Sequence, residues 1–139
     1  MTLKSSDLTV GQTFSQRLVE DLKRTQIVQY AGASGDYNPL HTDEIFTTKV
    51  AGYPSVFAHG MLTMGMTGAM LTNTVGDGRL TKYGVRFTSQ VWPGDTLDAT
   101  ATVTRVFEDG GAKLVDLDVV TVNQTGVEVL KGYAQARVD

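Results

Sequence analysis

Residues 55–74 read SVFAHGMLTMGMTGAMLTNT, and this uncharged stretch decides the fold. It lies inside a longer segment, residues 50–76, that contains no Asp, Glu, Lys or Arg. A helix formed here would carry apolar side chains on most sides, from Met61, Leu62, Met64, Met66, Ala69, Met70 and Leu71. A helix without a wide polar face is usually surrounded by protein. We therefore expect one long helix, enclosed on nearly every side, at the centre of the molecule.

The same segment is long enough to cross a bilayer, and this alternative has to be weighed. Pro54, His59 and Asn73 interrupt it, glycines recur at 52, 60, 65 and 68, and its densely apolar part is short. These features favour a helix buried in protein, so we expect no membrane partner. The N-terminal residues MTLKSSDLTVGQTF also lack the apolar region of a secretory signal, so no cleaved leader is expected.

Upstream of this helix, the pattern predicts a short strand and two helices. Residues 13–19 could form the strand. The sequence KRTQIVQYAGA (23–33) places apolar residues three and four apart, which predicts a helix that GASGDYNP must end. A shorter helix is expected over residues 43–50, with Thr42 or Asp43 as its N-cap.

Downstream of residue 76, the hydrophobic period changes from helical to two, which is the period of a half-buried strand. Alternating runs at 81–91, 97–107, 114–122 and 127–138 predict four strands. The sequences EDGG (108–111) and NQTG (123–126) between the last three suit antiparallel hairpins. In the final run, the apolar parity shifts between Val129 and Leu130, which predicts a bulge.

These elements predict an α+β fold in which a curved antiparallel sheet wraps around one long central helix. The four downstream strands would form a meander, and the strand at residues 13–19 could join it. We expect a single domain over residues 1–139. An uncovered edge strand readily pairs with another chain, so edge-to-edge dimerisation is expected.

The composition excludes several classes of partner and chemistry. The 139 residues include 12 basic and 15 acidic side chains that are scattered along the chain, so no basic stripe is available for nucleic acid. The absence of cysteine excludes disulfides, thiolate metal sites and a cysteine nucleophile. It is also compatible with a reducing compartment, and we expect a cytoplasmic protein.

The first candidate for chemistry is the stretch SGDYNPLHTD at residues 34–43. Gly, Asp, Asn and Pro are turn formers, so the stretch could serve only to end the preceding helix. If the Asn38-Pro39 step folds the backbone back, however, Asp36 and His41 can face the same space. They would supply a carboxylate and an imidazole that exchanges protons near neutral pH.

The second candidate is His59-Gly60, at the point where the central helix would begin. Free backbone N–H groups and the positive end of the helix dipole converge there, so an oxygen that gains negative charge could be bound. Close packing of the helix start would equally explain Gly60, and His59 could simply orient the loop by a hydrogen bond to backbone. Two histidines without an H-x-x-x-H or H-E-x-x-H spacing predict no metal site, and no cofactor is expected.

Four motifs along the chain resemble one known family. They are D-x-N-P-L-H (36–41), A-H-G-M (58–61), Y-x-V-R-F (83–87) and P-G-D-x-L (93–97). In combination they resemble the MaoC-like family of (R)-specific enoyl-CoA hydratases and (3R)-hydroxyacyl-thioester dehydratases of fatty acid metabolism. The run AHGMLTMGM is similar to the B subunit of the type II fatty-acid synthase (3R)-hydroxyacyl-ACP dehydratase.

The resemblance implies a hot-dog fold and a hydro-lyase. Asp36 and His41 would be a catalytic dyad that acts on one water, and the Gly60 N–H would lie in the oxyanion hole. The substrate would be a trans-2-enoyl thioester of CoA or of acyl carrier protein, hydrated to the (3R)-hydroxyacyl thioester or formed from it by dehydration. The assembly would be a homodimer or a heterodimer with a related subunit.

The resemblance also assigns supporting positions. Asn38 and Pro39 would hold the loop, and His59 would support the dyad. Some members use a serine at the position of Gly68, which leaves Thr67 as the neighbouring candidate for a side-chain contribution.

Two other functions stay open at this point. Hot-dog proteins include acyl-thioesterases, but these commonly carry a carboxylate on or beside the central helix, and residues 50–76 contain none. A non-catalytic acyl-binding partner subunit is the other alternative, although the presence of both Asp36 and His41 argues against it.

Overall fold

The computed structural model describes residues 3–139. Met1 and Thr2, which the predicted single domain includes, lie outside the described residues. Within these described residues there are five strands and two α-helices: β1 (Thr13–Val19), α1 (Arg24–Ser34), α2 (Gly60–Val75), β2 (Leu80–Phe87), β3 (Leu97–Asp109), β4 (Ala112–Val122) and β5 (Glu128–Arg137). A short 3₁₀ turn at Ser5–Asp7 precedes β1, and a π-helical turn at Phe46–Val50 follows α1.

The strands form one antiparallel sheet in the order β1-β3-β4-β5-β2. The predicted antiparallel sheet is therefore confirmed, and β1 joins it by pairing with β3. The predicted meander order is wrong, because β2 pairs with β5 at the far edge instead of with β3. Residues 88–96 connect β2 to β3 across the sheet. They contact the backbone of Leu22. The Leu22 N–H donates to the Asp95 carbonyl at 2.8 Å, and the Gly94 N–H donates to the Leu22 carbonyl at 2.7 Å.

The core lies on one face of the sheet. Along β3 the fully buried residues alternate as predicted, at Leu97, Ala99, Ala101 and Val103, until a register shift after Val103 interrupts the pattern. The predicted bulge in β5 is confirmed. The pairing with β4 jumps from Leu130 to Glu128, and both Val129 and Leu130 are buried as a result.

Helix α2 packs on this face, with Thr63, Thr67, Met70, Leu71 and Val75 buried. It begins at Gly60 and not near residue 55, because the N–H groups of Phe57 and Ala58 bond the carbonyls of Leu40 and Val91 instead of entering a helix.

The prediction that protein surrounds α2 on nearly every side is wrong for the chain by itself. An exposed stripe runs along the helix at a spacing of four residues, through Met61, Gly65, Ala69 and Asn73. Among residues 3–139, none of the helices has the length and apolar character needed to span a membrane.

Candidate active site

The loop after α1 brings its two candidate side chains together by a series of short-range hydrogen bonds. Gly35 ends α1 in the left-handed conformation, with φ of 74°. The carboxylate of Asp36 then accepts from the Asn38 N–H at 3.2 Å, and the Asn38 amide oxygen accepts from the Leu40 N–H at 3.0 Å. The Asn38 carbonyl accepts from the His41 N–H at 3.0 Å. Two consecutive Asx turns thus reverse the chain between Asp36 and His41.

Pro39 fixes the other side of this loop. Its carbonyl accepts from the N–H of Asp43 at 2.9 Å and from the hydroxyl of Thr47 at 3.1 Å. Asp43 in turn caps the helical turn that follows, because its carboxylate accepts from the Phe46 N–H at 3.0 Å. Asn38 and Pro39 thus both accept hydrogen bonds within this loop, and their supporting role at an active site stays a prediction.

Asp36, His41 and His59 form one cluster. A carboxylate oxygen of Asp36 and one ring nitrogen from each histidine all lie within 4.8 Å of one another. No direct hydrogen bond joins the Asp36 and His41 side chains among residues 3–139, so a water molecule between them could bind both. The sequence motif therefore does place a carboxylate and an imidazole around a shared space.

The hydrogen bond of His41 determines which of its nitrogens is free. The Phe57 carbonyl lies 2.7 Å from His41 Nδ1. Because a carbonyl only accepts, Nδ1 carries the proton and Nε2 keeps its lone pair. Burial lowers the pKa of His41 below its ordinary value, an effect that the Phe57 carbonyl opposes and His59 reinforces. His41 is thus a neutral imidazole near pH 7 with an unprotonated Nε2, the form that a general base requires.

His59 supports both members of this pair. It is the N-cap residue of α2, is only 2% exposed, and lies 3.0 Å by Nε2 from the Asp36 carbonyl, to which it donates. Its ring stacks on that of His41 and forms a T-shaped contact with that of Tyr30, with centroid distances of 3.8 and 4.9 Å. Its Nδ1 is buried and has no hydrogen-bond partner within the described chain.

Gly60 is the first residue of α2, directly after His59. Its N–H has no acceptor among residues 3–139, so it is available to an oxygen at the positive end of the helix dipole. A Cβ built on Gly60 would lie 2.9 Å from the ring of Phe87. A side chain at this position would therefore press on Phe87, a half-exposed residue of β2, and one of the two would have to shift.

A cavity of about 280 Å³ opens beside Gly60. It is lined by Phe57, Ala58, Gly60, Thr63, Phe87, Thr88, Ser89, Gln90, Val91 and Val129. Neither Asp36 nor His41 lines it. Phe57 is the residue that both lines the cavity and bonds His41, through its carbonyl. A larger cavity of about 590 Å³ lies near residues 77–79 and 137–139, next to the C-terminal end of α2, and is remote from this cluster.

A family model described as the MaoC-like domain matches residues 5–125. The chain belongs to the MaoC-like domain family. Relatives of this MaoC-like chain agree with that assignment. It is 35% identical to the (R)-specific enoyl-CoA hydratase of Rhodospirillum rubrum over 134 residues, which cover 95% of this chain and 89% of the relative.

A second relative matches only in part. Over 67 residues the chain is 45% identical to 3-hydroxyacyl-thioester dehydratase Y of Mycobacterium tuberculosis, which covers 46% of this chain. This MaoC-like chain spans 23% of the length of that relative.

Solved structures confirm the hot-dog fold of the MaoC-like R-hydratases. An (R)-hydratase from A. caviae involved in PHA biosynthesis has a TM-score of 0.83 at 24% identity, with 96% of this chain and 98% of that chain covered. The ChsH1-ChsH2 complex from Mycobacterium tuberculosis has a TM-score of 0.78 at 21% identity, with 94% and 98% covered. At these identities, the likeness establishes the fold alone.

Thr67, the candidate next to the family's serine position, is not brought to the site. It is fully buried, and its hydroxyl lies 2.7 Å from that of Thr121 in β4. A Cβ on Gly68 would lie 3.2 Å from the ring of Tyr83, so a serine side chain at position 68 would be in tight contact with that ring. The Tyr83 hydroxyl donates to the Met64 carbonyl at 2.7 Å, and burial raises its pKa to about 12.

Sequence reasoning missed three residues of the candidate site. Phe57 fixes the His41 tautomer through its carbonyl, and no side-chain pattern could have indicated that. Phe87 covers the start of α2, although its alternating position in the strand suggested a core residue. Thr63 lies three residues after Gly60, on the same helix face, and that spacing could have identified it.

The prediction of no metal site depended on the sequence spacing of the two histidines. The fold brings together three potential ligands, Asp36, His41 and His59, which that spacing did not suggest. In their present geometry, the two imidazoles are stacked with planes 25° apart. Lone pairs lie in the ring plane, so stacked rings direct them side by side instead of toward one point. The absence of a metal therefore stays a prediction, supported by this geometry.

Proposed function

We propose that this MaoC-like chain is a hydro-lyase that adds water to trans-2-enoyl thioesters of CoA or acyl carrier protein, giving (3R)-hydroxyacyl thioesters, and catalyses the reverse dehydration. The observation that carries the proposal is the cluster of the Asp36 carboxylate and the neutral His41 imidazole at the start of α2. The family membership and the near full-length relative in Rhodospirillum rubrum support it.

His41 and Asp36 divide the work on one water. The lone pair of His41 Nε2 accepts a proton from the water as the water oxygen bonds to C3 of the substrate. Asp36 accepts a hydrogen bond from the same water and fixes its orientation. The dyad then returns one proton to C2, so one hydroxyl and one hydrogen are added in total. Both arrive from the side of the dyad, which gives syn addition.

Gly60 supplies the charge stabilisation. As water attacks C3, negative charge moves to the thioester oxygen, which the free Gly60 N–H at the helix start can bind. In this proposal, a thioester that reaches Gly60, Asp36 and His41 would pass Phe57 and extend its acyl chain into the 280 Å³ cavity, which Gly60 and Phe57 both line. A well-placed donor of this kind contributes about 10²–10³-fold to the rate.

We further propose a homodimer formed through the β2 edge, with a heterodimer containing a related subunit as the alternative. Strand β2 is an edge of the sheet, and two large side chains near it, Phe87 and Tyr133, are exposed by 50% and 57%. An edge strand with exposed aromatic residues favours pairing. Light scattering on the purified chain distinguishes a dimer from a monomer that awaits a partner.

The decisive experiment is hydration of crotonyl-CoA by the purified protein, with the configuration of the product determined. The proposal requires loss of the enoyl absorbance and formation of (3R)-hydroxybutyryl-CoA. Release of free CoA without hydration would favour an acyl-thioesterase. Binding without turnover by the isolated chain, and turnover by a mixed dimer, would favour a non-catalytic subunit.

A further inference from the structure

The cavity beside Gly60 contains one buried hydroxyl that the chain itself does not satisfy. Thr63 lines the cavity and is 1% exposed, and its Oγ1 has no hydrogen-bond partner within residues 3–139. A buried polar group without a partner costs free energy, so such groups in native proteins usually bind water or a ligand.

Thr63 differs in this respect from other helical threonines of the chain. A threonine in a helix commonly donates to a carbonyl one turn back. Hydroxyl-to-carbonyl distances between 2.7 and 3.1 Å record this bond for Thr47, Thr48, Thr72 and Thr74. The corresponding carbonyl for Thr63 is that of His59, which accepts from the Leu62 N–H at 3.1 Å. The Thr63 hydroxyl is therefore available to form a hydrogen bond with a molecule in the cavity.

The other hydroxyls that line the cavity are already bonded. Thr88 donates to the Glu128 carbonyl at 2.7 Å, and Ser89 donates to the Thr88 carbonyl at 2.8 Å. No charged side chain lines the cavity among the described residues. A carboxylate would therefore have no cation to pair with, whereas a neutral oxygen could bond Thr63, which can donate or accept.

We propose that the cavity takes an acyl chain that carries a neutral oxygen, either a hydroxyl or a carbonyl, and that Thr63 Oγ1 binds that oxygen. The inference rests on the proposed function, because it places the thioester carbonyl at Gly60. Thr63 lies three residues further along α2, about 4.5 Å along the axis. With carbon–carbon bonds of about 1.5 Å in a zigzag chain, that distance corresponds to an oxygen on C4 or C5.

The test compares (E)-hex-2-enoyl-CoA with (E)-5-hydroxyhex-2-enoyl-CoA as substrates of the full chain. We expect kcat/KM to be about tenfold higher for the hydroxylated substrate, which is the size of one buried hydrogen bond. Thr63→Val, which keeps the shape and removes the hydroxyl, should abolish this preference, and Thr63→Ser should retain it. Thr74→Val is the matched control, because Thr74 bonds the Met70 carbonyl away from the cavity and should not affect selectivity.

Equal kcat/KM values for the two substrates in the wild type would overturn the inference. The inference would also be overturned if Thr63→Val kept the preference for the hydroxylated substrate, including the case in which its activity fell equally on both substrates. An enclosed water would then be a sufficient hydrogen-bond partner for Thr63. Thermal unfolding checks the fold, and Thr63→Val should be no less stable because it removes an unsatisfied group.

A binding measurement keeps this inference separate from the proposed function. Calorimetry with the saturated hexanoyl-CoA and 5-hydroxyhexanoyl-CoA reports the cavity without any turnover. If the chain hydrates neither enoyl substrate, the proposed function fails, yet tighter binding of the hydroxylated ligand that is lost in Thr63→Val would still support the role of Thr63. Equal binding of both ligands would exclude that role.

Discussion

The imidazole of His59 stacks on that of His41, with ring centroids 3.8 Å apart and planes 25° apart. The same His59 donates from Nε2 to the Asp36 carbonyl at 3.0 Å. One buried side chain at the start of α2 therefore contacts both the ring of His41 and the backbone of Asp36. His59 is also one of the groups that lower the pKa of His41, after burial, so this arrangement disfavours the protonated form of His41.

Replacing His59 should shift the pH dependence of the reaction. Burial and His59 both lower the pKa of His41, and hydration requires its neutral form. The rate should therefore fall only as the pH drops below the ordinary histidine value of about 6.5. In His59→Asn the ring is lost and water gains access, so the acid limb of the kcat/KM profile should move to higher pH. An unchanged profile with reduced activity would indicate that His59 has only a structural role.

Removing either dyad member should greatly reduce turnover. Asp36→Asn loses a carboxylate that accepts from the shared water, and His41→Ala loses the base at Nε2. General acid–base groups contribute about 10²–10⁴-fold, and a loss of that size in kcat is expected for each. Crotonyl-CoA hydration measures it, with circular dichroism as the control for folding. Near-wild-type rates in both variants would refute the proposed mechanism.

The closeness of the Asp36 and His41 side chains was predictable from sequence because their spacing is a local property. Asp36, Asn38 and His41 are joined by short-range turns whose side-chain bonds depend on residues two or three positions apart. The burial pattern of β3 and the bulge at Val129 were predictable for the same reason, because the alternation of apolar and polar residues can be read from the sequence of each strand.

Long-range relationships were not predictable in this way. The place of β2 beside β5 depends on how residues 88–96 cross the sheet, and the start of α2 depends on Val91 accepting from the Ala58 N–H. Neither produces a local period. The stack of His41 on His59 is of the same kind, because it joins two loops that no spacing rule connects.

A side chain on Gly60 should disturb the site through Phe87. A Cβ there would lie 2.9 Å from the half-exposed Phe87 ring, so the ring and the helix start would have to shift relative to each other. Gly60→Ala should therefore lower kcat/KM by about tenfold or more through displacement of the Gly60 N–H. Gly60→Ala combined with Phe87→Ala should recover part of that loss. If the double variant is no better than the single one, the contact with Phe87 is not the cause.

The pH dependence of stability should also report the neutral state of His41. Because its pKa is lower in the folded chain than in the unfolded one, the unfolded chain binds more protons, and stability rises with pH through this range. The contribution is lost as the pH falls from about 6.5 toward the lowered value. Urea unfolding at pH 7 and pH 5 should show a smaller difference for His41→Gln than for the wild type. An equal difference would mean that His41 titrates normally.

The Thr67–Thr121 pair provides a test of whether Thr67 acts in the core or in the site. The two hydroxyls lie 2.7 Å apart and are fully buried, so Thr67→Val leaves the Thr121 hydroxyl without its partner. That change should reduce the free energy of unfolding by about 1–3 kcal/mol, whereas Thr67→Val with Thr121→Val should be close to neutral, because no polar group is then left unsatisfied. Urea unfolding of both single variants and the double variant completes the mutant cycle. A residue that acts only through packing should not affect turnover once stability is restored. If the double variant recovers its stability but shows a severe loss of kcat, Thr67 acts in the active site and not only in the core.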